Sequence, residues 1–320
     1  MLDFFRQVRE DLELVEQEIK AVVQSRDPLL TQTSMHLLNA GGKRLRPAFA
    51  LLAGKLYNYS LEKLLPLAVA LELIHMASLV HDDVVDNSQT RRGTPTVKAN
   101  WGNAISMHTG DYLFAKSLVL ISQYENPVIA KVLAETSVKM CEGEIHQIST
   151  AFKADQSWRD YFYRIERKTA LLIAASCQLG AVAAGAPVQD RQRLRRFGHQ
   201  LGMAFQITDD VLDMVADQSL LGKPLGGDLR QGILTMPVLY SLEKSPQRRR
   251  LRELVEIPNK TDDQVKEAID IIKEAGGIEF SFEVARRYID KAKNNLALLP
   301  DRPVKQAFYE IADFIGIRRF

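Results

Sequence analysis

The sequence predicts an all-α fold, and three observations carry that prediction. Apolar residues recur at helical spacing, strand-like alternation is missing, and the breaks have the chemistry of helix ends. Leu12, Val15, Ile19, Val22 and Val23 advance in helical steps, as do Leu64, Leu67, Leu71, Ile74 and Leu79. So do Leu194, Phe197, Leu201, Phe205 and Val211. No set of alternating apolar and polar runs is flanked by hairpin turns. Helix ends are expected at Asp27-Pro28, Gly41-Gly42, Asn126-Pro127, Gly185-Ala186-Pro187, Gly226-Gly227, Gly276-Gly277 and Leu299-Pro300. No break is long enough, or rich enough in Pro, Gly or Ser, to be an interdomain linker, and no fixed-period repeat occurs. The expectation is a single-domain bundle of ten or more helices around a central apolar interior.

Composition narrows the function classes. With 320 residues, 46% hydrophobic and 26% charged, the chain can bury a large core and is not expected to be disordered. Its 42 basic and 40 acidic residues leave a net charge of +2, so nothing in the overall balance calls for nucleic acid. Cys141 and Cys177 form no close pair, which argues against a thiolate metal site or a disulfide framework and fits a cytoplasmic location. The N-terminus soon becomes charged and lacks the apolar region of a signal peptide. The stretch from Leu67 to Val80 is interrupted by Glu72 and His75, so no transmembrane segment is expected. Arg248-Arg249-Arg250-Leu251-Arg252 reads as a solvated helix face, with a membrane-surface or partner patch as the alternative.

Two acidic motifs stand out. His81-Asp82-Asp83-Val84-Val85-Asp86 and Asp209-Asp210-Val211-Leu212-Asp213 both contain DDxxD, and both follow long helical patterns. Positions i and i+4 share a helix face about 6 Å apart, so Asp82 aligns with Asp86 and Asp209 with Asp213. Like charges at that spacing repel, and burial beside apolar side chains raises the cost. A hard divalent cation removes the conflict: magnesium takes oxygen ligands, commonly a few carboxylates together with substrate phosphates. One such motif alone is usually a solvated face; two, in apolar segments half a chain apart, point to a shared purpose.

Basic residues supply the other sign of charge. Gly41-Gly42-Lys43-Arg44-Leu45-Arg46-Pro47 is a glycine turn followed by three cations, and Pro47 suits the first turn of a helix. Arg91-Arg92-Gly93, Lys168-Thr169 and Lys223 lie near further turns or helix segments. Arg offers bidentate donors and Lys a point charge, both suited to phosphate. Singly, each is more often a surface cation. Beside two acidic motifs they suit a polyanion carried on Mg2+. No nucleotide-binding, nucleophile-elbow or zinc-helix motif competes.

On these residues the chain resembles the trans-type polyprenyl diphosphate synthases along nearly its whole length. Gly41 to Pro47, His75 to Asp86, Arg91-Arg92-Gly93, Lys168-Thr169, Phe205 to Asp213 and Gly222-Lys223 stand in the family's order. Pro95 to Ala99, Thr109 to Ala115, Arg167 to Gly180 and Pro237 to Tyr240 resemble the large catalytic subunits of two-component heptaprenyl synthases in particular. The resemblance implies one domain spanning 1–320. It also implies successive 1′-4 condensation of isopentenyl diphosphate with farnesyl or geranylgeranyl diphosphate. The implied product is heptaprenyl diphosphate for the menaquinone side chain, the alternative being a homodimeric hexaprenyl or octaprenyl synthase. It assigns Lys43, Arg46, His75 and Arg92 to isopentenyl diphosphate, and Arg91, Lys168, Thr169, Gln206 and Lys223 to the allylic diphosphate. The metal ligands would be Asp82, Asp86 and Asp209, assisted by Asp83 and Asp213, with about three Mg2+ per site when substrate is bound. Asp82, Asp86, Lys168 and Asp209 would carry the catalysis. His75 read by itself is a satisfied core histidine, and Gln206 by itself says nothing.

Product length is expected to be set on the helix of Asp82. Ala77 and Ser78, one turn toward its N-terminus, are small where short-chain members of the family carry aromatics; Ile74 and Leu71 lie deeper. The bland reading is small residues for helix packing. Partnership is expected as a homodimer, or as a heterodimer with a small regulatory subunit, with peripheral membrane contact for product release. A non-catalytic partner subunit would not need both acidic motifs, and a terpene cyclase would leave the cations of 41–47 unexplained.

Overall fold

The computed structural model describes residues 3–215 and 225–317. The all-α expectation holds, with more than ten helices among the described residues. In chain order these begin with α1 (Arg9–Val22), α2 (Pro28–Asn39), α3 (Leu45–Lys55), α4 (Leu61–Val85), α5 (Val97–Ile121) and α6 (Pro127–Thr150). They continue with α7 (Trp158–Ile165), α8 (Leu171–Ala183) and α9 (Val188–Val215). Six more lie at Gly227–Arg230, Met236–Lys244, Arg248–Glu256, Asp262–Glu274, Gly277–Ala297 and Lys305–Ile317.

The breaks fall where the turn residues sit. At Asp27-Pro28 the Asp27 carboxylate accepts from the Leu29 N–H at 2.8 Å, and Pro28 occupies the first turn, where a missing N–H costs nothing. Pro127 opens α6, and Gly276 takes the left-handed conformation at the start of Gly277–Ala297.

The chain forms two compact units. The first comprises Met1–Ser137, Ala175–Arg195 and Leu299–Phe308; the second comprises Val138–Ala174, Arg196–Leu298 and Tyr309–Phe320. In the first, α4 is apolar on every side, and Leu64, Leu67, Ala68, Leu71 and Leu73 are fully buried. Its length and composition would suit a membrane, but 67% of the apolar window is buried inside the protein, as befits a core helix. In the second, Tyr161, Ile207, Val211, Met214, Leu251, Leu254 and Ile272 share a core.

Helix α8 meets α3 at Gly180. A Cβ there would lie 2.1 Å from the Ala50 carbonyl oxygen, which is backbone and cannot swing aside. Gly180→Ala would gain about 1 kcal/mol of helix propensity. Overpacking typically costs about 1–3 kcal/mol, and a backbone clash belongs at the upper end. A fall of a few degrees in Tm is therefore expected by circular dichroism. An unchanged or higher Tm would contradict this close helix approach.

Candidate functional site

In the first unit the acidic motif occupies the last turn of α4. The Asp86 N–H donates to the Asp82 carbonyl at 2.8 Å, which sets the two residues one turn apart, and both are partly exposed. Asp83 is buried and turned inward, where Arg91 donates to both of its oxygens at 2.7 to 3.1 Å. Three carboxylates thus crowd the negative end of a helix whose last turn holds no basic residue.

Arg91 and Arg92 are carried by a small hairpin that the sequence did not announce. Strands β1 (Thr90–Arg91) and β2 (Thr94–Pro95) pair antiparallel across Arg92-Gly93, whose φ angles are 54° and 76°. Two positive φ values in a two-residue loop are those of a type I′ turn, and Gly93 supplies one without strain. The hairpin sets Arg91 on Asp83 and leaves the Arg92 guanidinium beside Gly42, where a Cβ would lie 2.9 Å from Arg92 Nη1.

The cations of this unit are close enough to feel one another. Burial lowers the Arg46 guanidinium to about 10; nearby Glu72 opposes that fall and Arg92 adds to it. Arg46 stays charged at neutral pH. His75 is held neutral by its burial, with Arg46, Arg92, Arg91 and Arg44 reinforcing the effect. Arg92 is lowered by burial and by Arg44 and Arg91. Arg46, His75 and Arg92 are thereby brought together, and Lys43 lies on the exposed turn ahead of α3. A cluster of like charges held this way suits a polyanion.

The second unit repeats the pattern on α9. Asp209 and Asp213 are partly exposed, while Asp210 between them is buried. Asp210 accepts from Gln206 Nε2 at 2.8 Å and from the Tyr161 hydroxyl at 2.7 Å. Burial pushes its carboxyl up to about 7, with Asp228 adding to the rise. The Gln206 oxygen in turn accepts from the Thr169 hydroxyl at 2.6 Å. Thr169 and Lys168 lie in a π-helical turn, Glu166–Ala170, of a kind often found at functional sites. Gly143 of α6 permits close approach to that turn, since a Cβ there would lie 2.6 Å from Arg167 Cβ. Its neighbour Glu144 accepts from Lys168 Nζ at 2.9 Å, and Glu142 lies 3.5 Å from Arg167 Nε. Asp213 accepts from the N–H groups of Gly227 and Asp228, both at 3.1 Å, and so caps the short helix Gly227–Arg230.

Among the described residues no group of three or more His, Cys, Asp or Glu is arranged to hold a metal. The donor set nevertheless suits a hard cation. Each motif presents a pair of partly exposed carboxylates one turn apart, all oxygen, with the intervening aspartate turned inward. Lys223 lies outside the described residues.

Comparison with known proteins follows the same lines. The polyprenyl synthetase family model matches residues 27–272. The chain belongs to that family. It is a prenyltransferase. Heptaprenyl diphosphate synthase component 2 from Geobacillus stearothermophilus is 49% identical, over 97% of this chain and 97% of that protein. The crystal structure of heptaprenyl diphosphate synthase from Staphylococcus aureus has a TM-score of 0.92 and 36% identity, covering 97% of this chain and 98% of that one. The polyprenyl synthase structure from Caulobacter crescentus, complexed with calcium and isoprenyl diphosphate, has a TM-score of 0.94 and 35% identity, covering 99% and 97%.

In this polyprenyl synthetase, the residues expected to govern product length lie along the α4 core. Leu71, Ile74 and Ala77 are buried, and the partly buried Ser78 hydroxyl donates to the His75 carbonyl at 2.8 Å. Sequence reasoning missed Asp210 and Glu144, which accept from Gln206 and Lys168, and Tyr161, which donates to Asp210. The signal for Asp210 was present: it is the second aspartate of DDxxD, and an i, i+1 pair cannot face the same way on a helix.

Proposed function

We propose that the chain, acting as one catalytic domain over 1–320 in the cytoplasm, condenses isopentenyl diphosphate repeatedly with farnesyl or geranylgeranyl diphosphate. The proposed product is heptaprenyl diphosphate, destined for a menaquinone side chain. The observation that carries this reading is the motif geometry: two partly exposed carboxylate pairs, one in each unit, the first with Arg91 bound to its Asp83 and the second with Asp210 linked through Gln206 to Thr169, the neighbour of Lys168. The names of the Geobacillus and Staphylococcus relatives favour seven isoprene units, and the component 2 of the Geobacillus name favours a second subunit, over a homodimeric hexaprenyl or octaprenyl synthase.

In this reading Arg46, His75, Arg92 and Lys43 bind isopentenyl diphosphate, while Arg91, Lys168, Thr169, Gln206 and Lys223 serve the allylic diphosphate. Asp82, Asp86 and Asp209 would hold magnesium, about three ions per site, with Asp83 and Asp213 in support. Bound magnesium supplies charge that stabilises the departing diphosphate. The fixed cations add to that stabilisation at the position where negative charge develops. Breaking the C–O bond leaves an allylic cation. The isopentenyl alkene attacks it, and a proton then passes to the released diphosphate. Apolar residues of α4 exclude water, which would quench the cation. A long product is poorly soluble, so release at a membrane surface fits the chemistry.

The two diphosphate sites separate kinetically. Arg46→Ala is expected to weaken isopentenyl diphosphate, and Lys223→Ala the allylic substrate. Each loses a charge-assisted contact, roughly 1.5–3 kcal/mol or about ten- to a hundredfold. Steady-state kinetics with each substrate varied in turn would show this. If both variants weaken the same substrate, the division is wrong.

A further inference from the structure

Arg44 lies in the chain between Lys43 and Arg46, both assigned to isopentenyl diphosphate, yet its side chain points elsewhere. Its Nε and Nη2 grip the Glu16 carboxylate of α1 at 2.8 and 3.2 Å. Its Nη1 donates to the buried Glu72 of α4 at 3.1 Å and reaches the Gly41 carbonyl at 3.5 Å. Its second Nη2 hydrogen reaches the Leu38 carbonyl at 3.3 Å. A guanidinium has five N–H donors, and these contacts occupy all of them. No donor is left for a phosphate.

The backbone at this residue is also unusual. Arg44 caps α3 in the left-handed region, φ 48° and ψ 40°, which a non-glycine residue adopts only where its surroundings hold it there. A Cβ on Gly42 would lie 2.6 Å from Arg44 Nη1 and 2.9 Å from Arg92 Nη1, so both guanidiniums close over the turn. Glu72 offers one oxygen to Arg44; its other oxygen, and Arg46 Nε, are buried without a hydrogen-bond partner. The Glu72 charge nevertheless favours the Arg46 cation, while Arg92 opposes it.

We propose that Arg44, clamped by Glu16 and Glu72, is a positioning residue that locks the 41–47 turn and assembles Arg46 and Arg92 for the diphosphate of isopentenyl diphosphate. The inference rests on the assignment of that substrate to Arg46. Arg44 joins three elements, α1, the turn and α4, through one planar group. Lysine, a point charge on a flexible stem, cannot reproduce that geometry. Glu72 has a second effect: it offsets the mutual repulsion of the cations before substrate arrives.

The test compares Arg44→Lys, Glu16→Gln and Arg46→Ala in the full chain, with any required second subunit present. Both KM values, kcat and Tm are read for each. Arg44→Lys is expected to raise KM for isopentenyl diphosphate about tenfold, with KM for the allylic substrate and kcat within about twofold of wild type. Glu16→Gln keeps an acceptor but loses the charge, and is expected to give the same selective change at about threefold. It carries the test if Arg44→Lys does not fold. Wild-type KM for isopentenyl diphosphate in the folded clamp variants overturns the proposal, as does an equal rise in both KM values. If Arg46→Ala leaves that KM unchanged, the substrate assignment itself fails. If Arg46→Ala raises it and the clamp variants do not, only the clamp fails.

Discussion

Asp82→Ala is expected to lower kcat roughly a thousandfold or more, as expected for loss of an electrostatic group acting on the departing diphosphate. Asp209→Ala is expected to behave alike. Neither change should unfold the protein, because both side chains are partly exposed. Asp82 also sits at the negative end of α4, so its removal relieves an unfavourable helix-dipole interaction of about 0.3–1 kcal/mol in the metal-free protein. Asp83→Ala provides the contrast. It strips Arg91 of its bidentate partner in a buried setting and is expected to lose stability as well as activity. Kinetics at saturating magnesium and thermal melts without metal separate these outcomes. Wild-type turnover in Asp82→Ala or Asp209→Ala would contradict the metal assignment.

Ala77→Phe is expected to shorten the product to about three or four isoprene units while leaving condensation active. Ala77 lies on α4 just N-terminal to the acidic turn, with Ile74 and Leu71 further along, and all three are buried. A ring forced into tight packing costs about 1–3 kcal/mol, whereas a ring entering an open tunnel costs little. The aspartates and cations are untouched, so only elongation should stop early. Reverse-phase chromatography of dephosphorylated products gives the answer. An active Ala77→Phe enzyme with unchanged long product would mean that Ala77 simply packs against a neighbouring helix.

Local chemistry in the sequence located most of the architecture. Asp27-Pro28 and Asn126-Pro127 start helices because a side-chain acceptor and a fixed φ suit a first turn. The i, i+4 spacing of each DDxxD correctly paired Asp82 with Asp86 on one helix face. What stayed hidden depends on long-range contacts. Thr90 to Pro95 form a strand pair of two residues each, too short for periodicity to register. The π turn at 166–170 is bracketed by ion pairs to Glu142 and Glu144 and by a hydrogen bond between its own Glu166 and His199, the partners all coming from other helices. Tyr161 reaches Asp210 across 49 positions, and Arg44 reaches Glu16 and Glu72 across 28 in each direction. No local pattern marks such pairs. The first DDxxD therefore read as three candidate ligands and the second as two, while the structure turns Asp83 and Asp210 into the protein.

The most direct test incubates the purified chain with isotope-labelled isopentenyl diphosphate, farnesyl or geranylgeranyl diphosphate, and magnesium, with and without a candidate small subunit. Label is predicted to enter a long prenyl diphosphate, most of it seven isoprene units, and incorporation should cease when magnesium is chelated. No incorporation from either starter, with the second subunit present and magnesium saturating, would contradict the account.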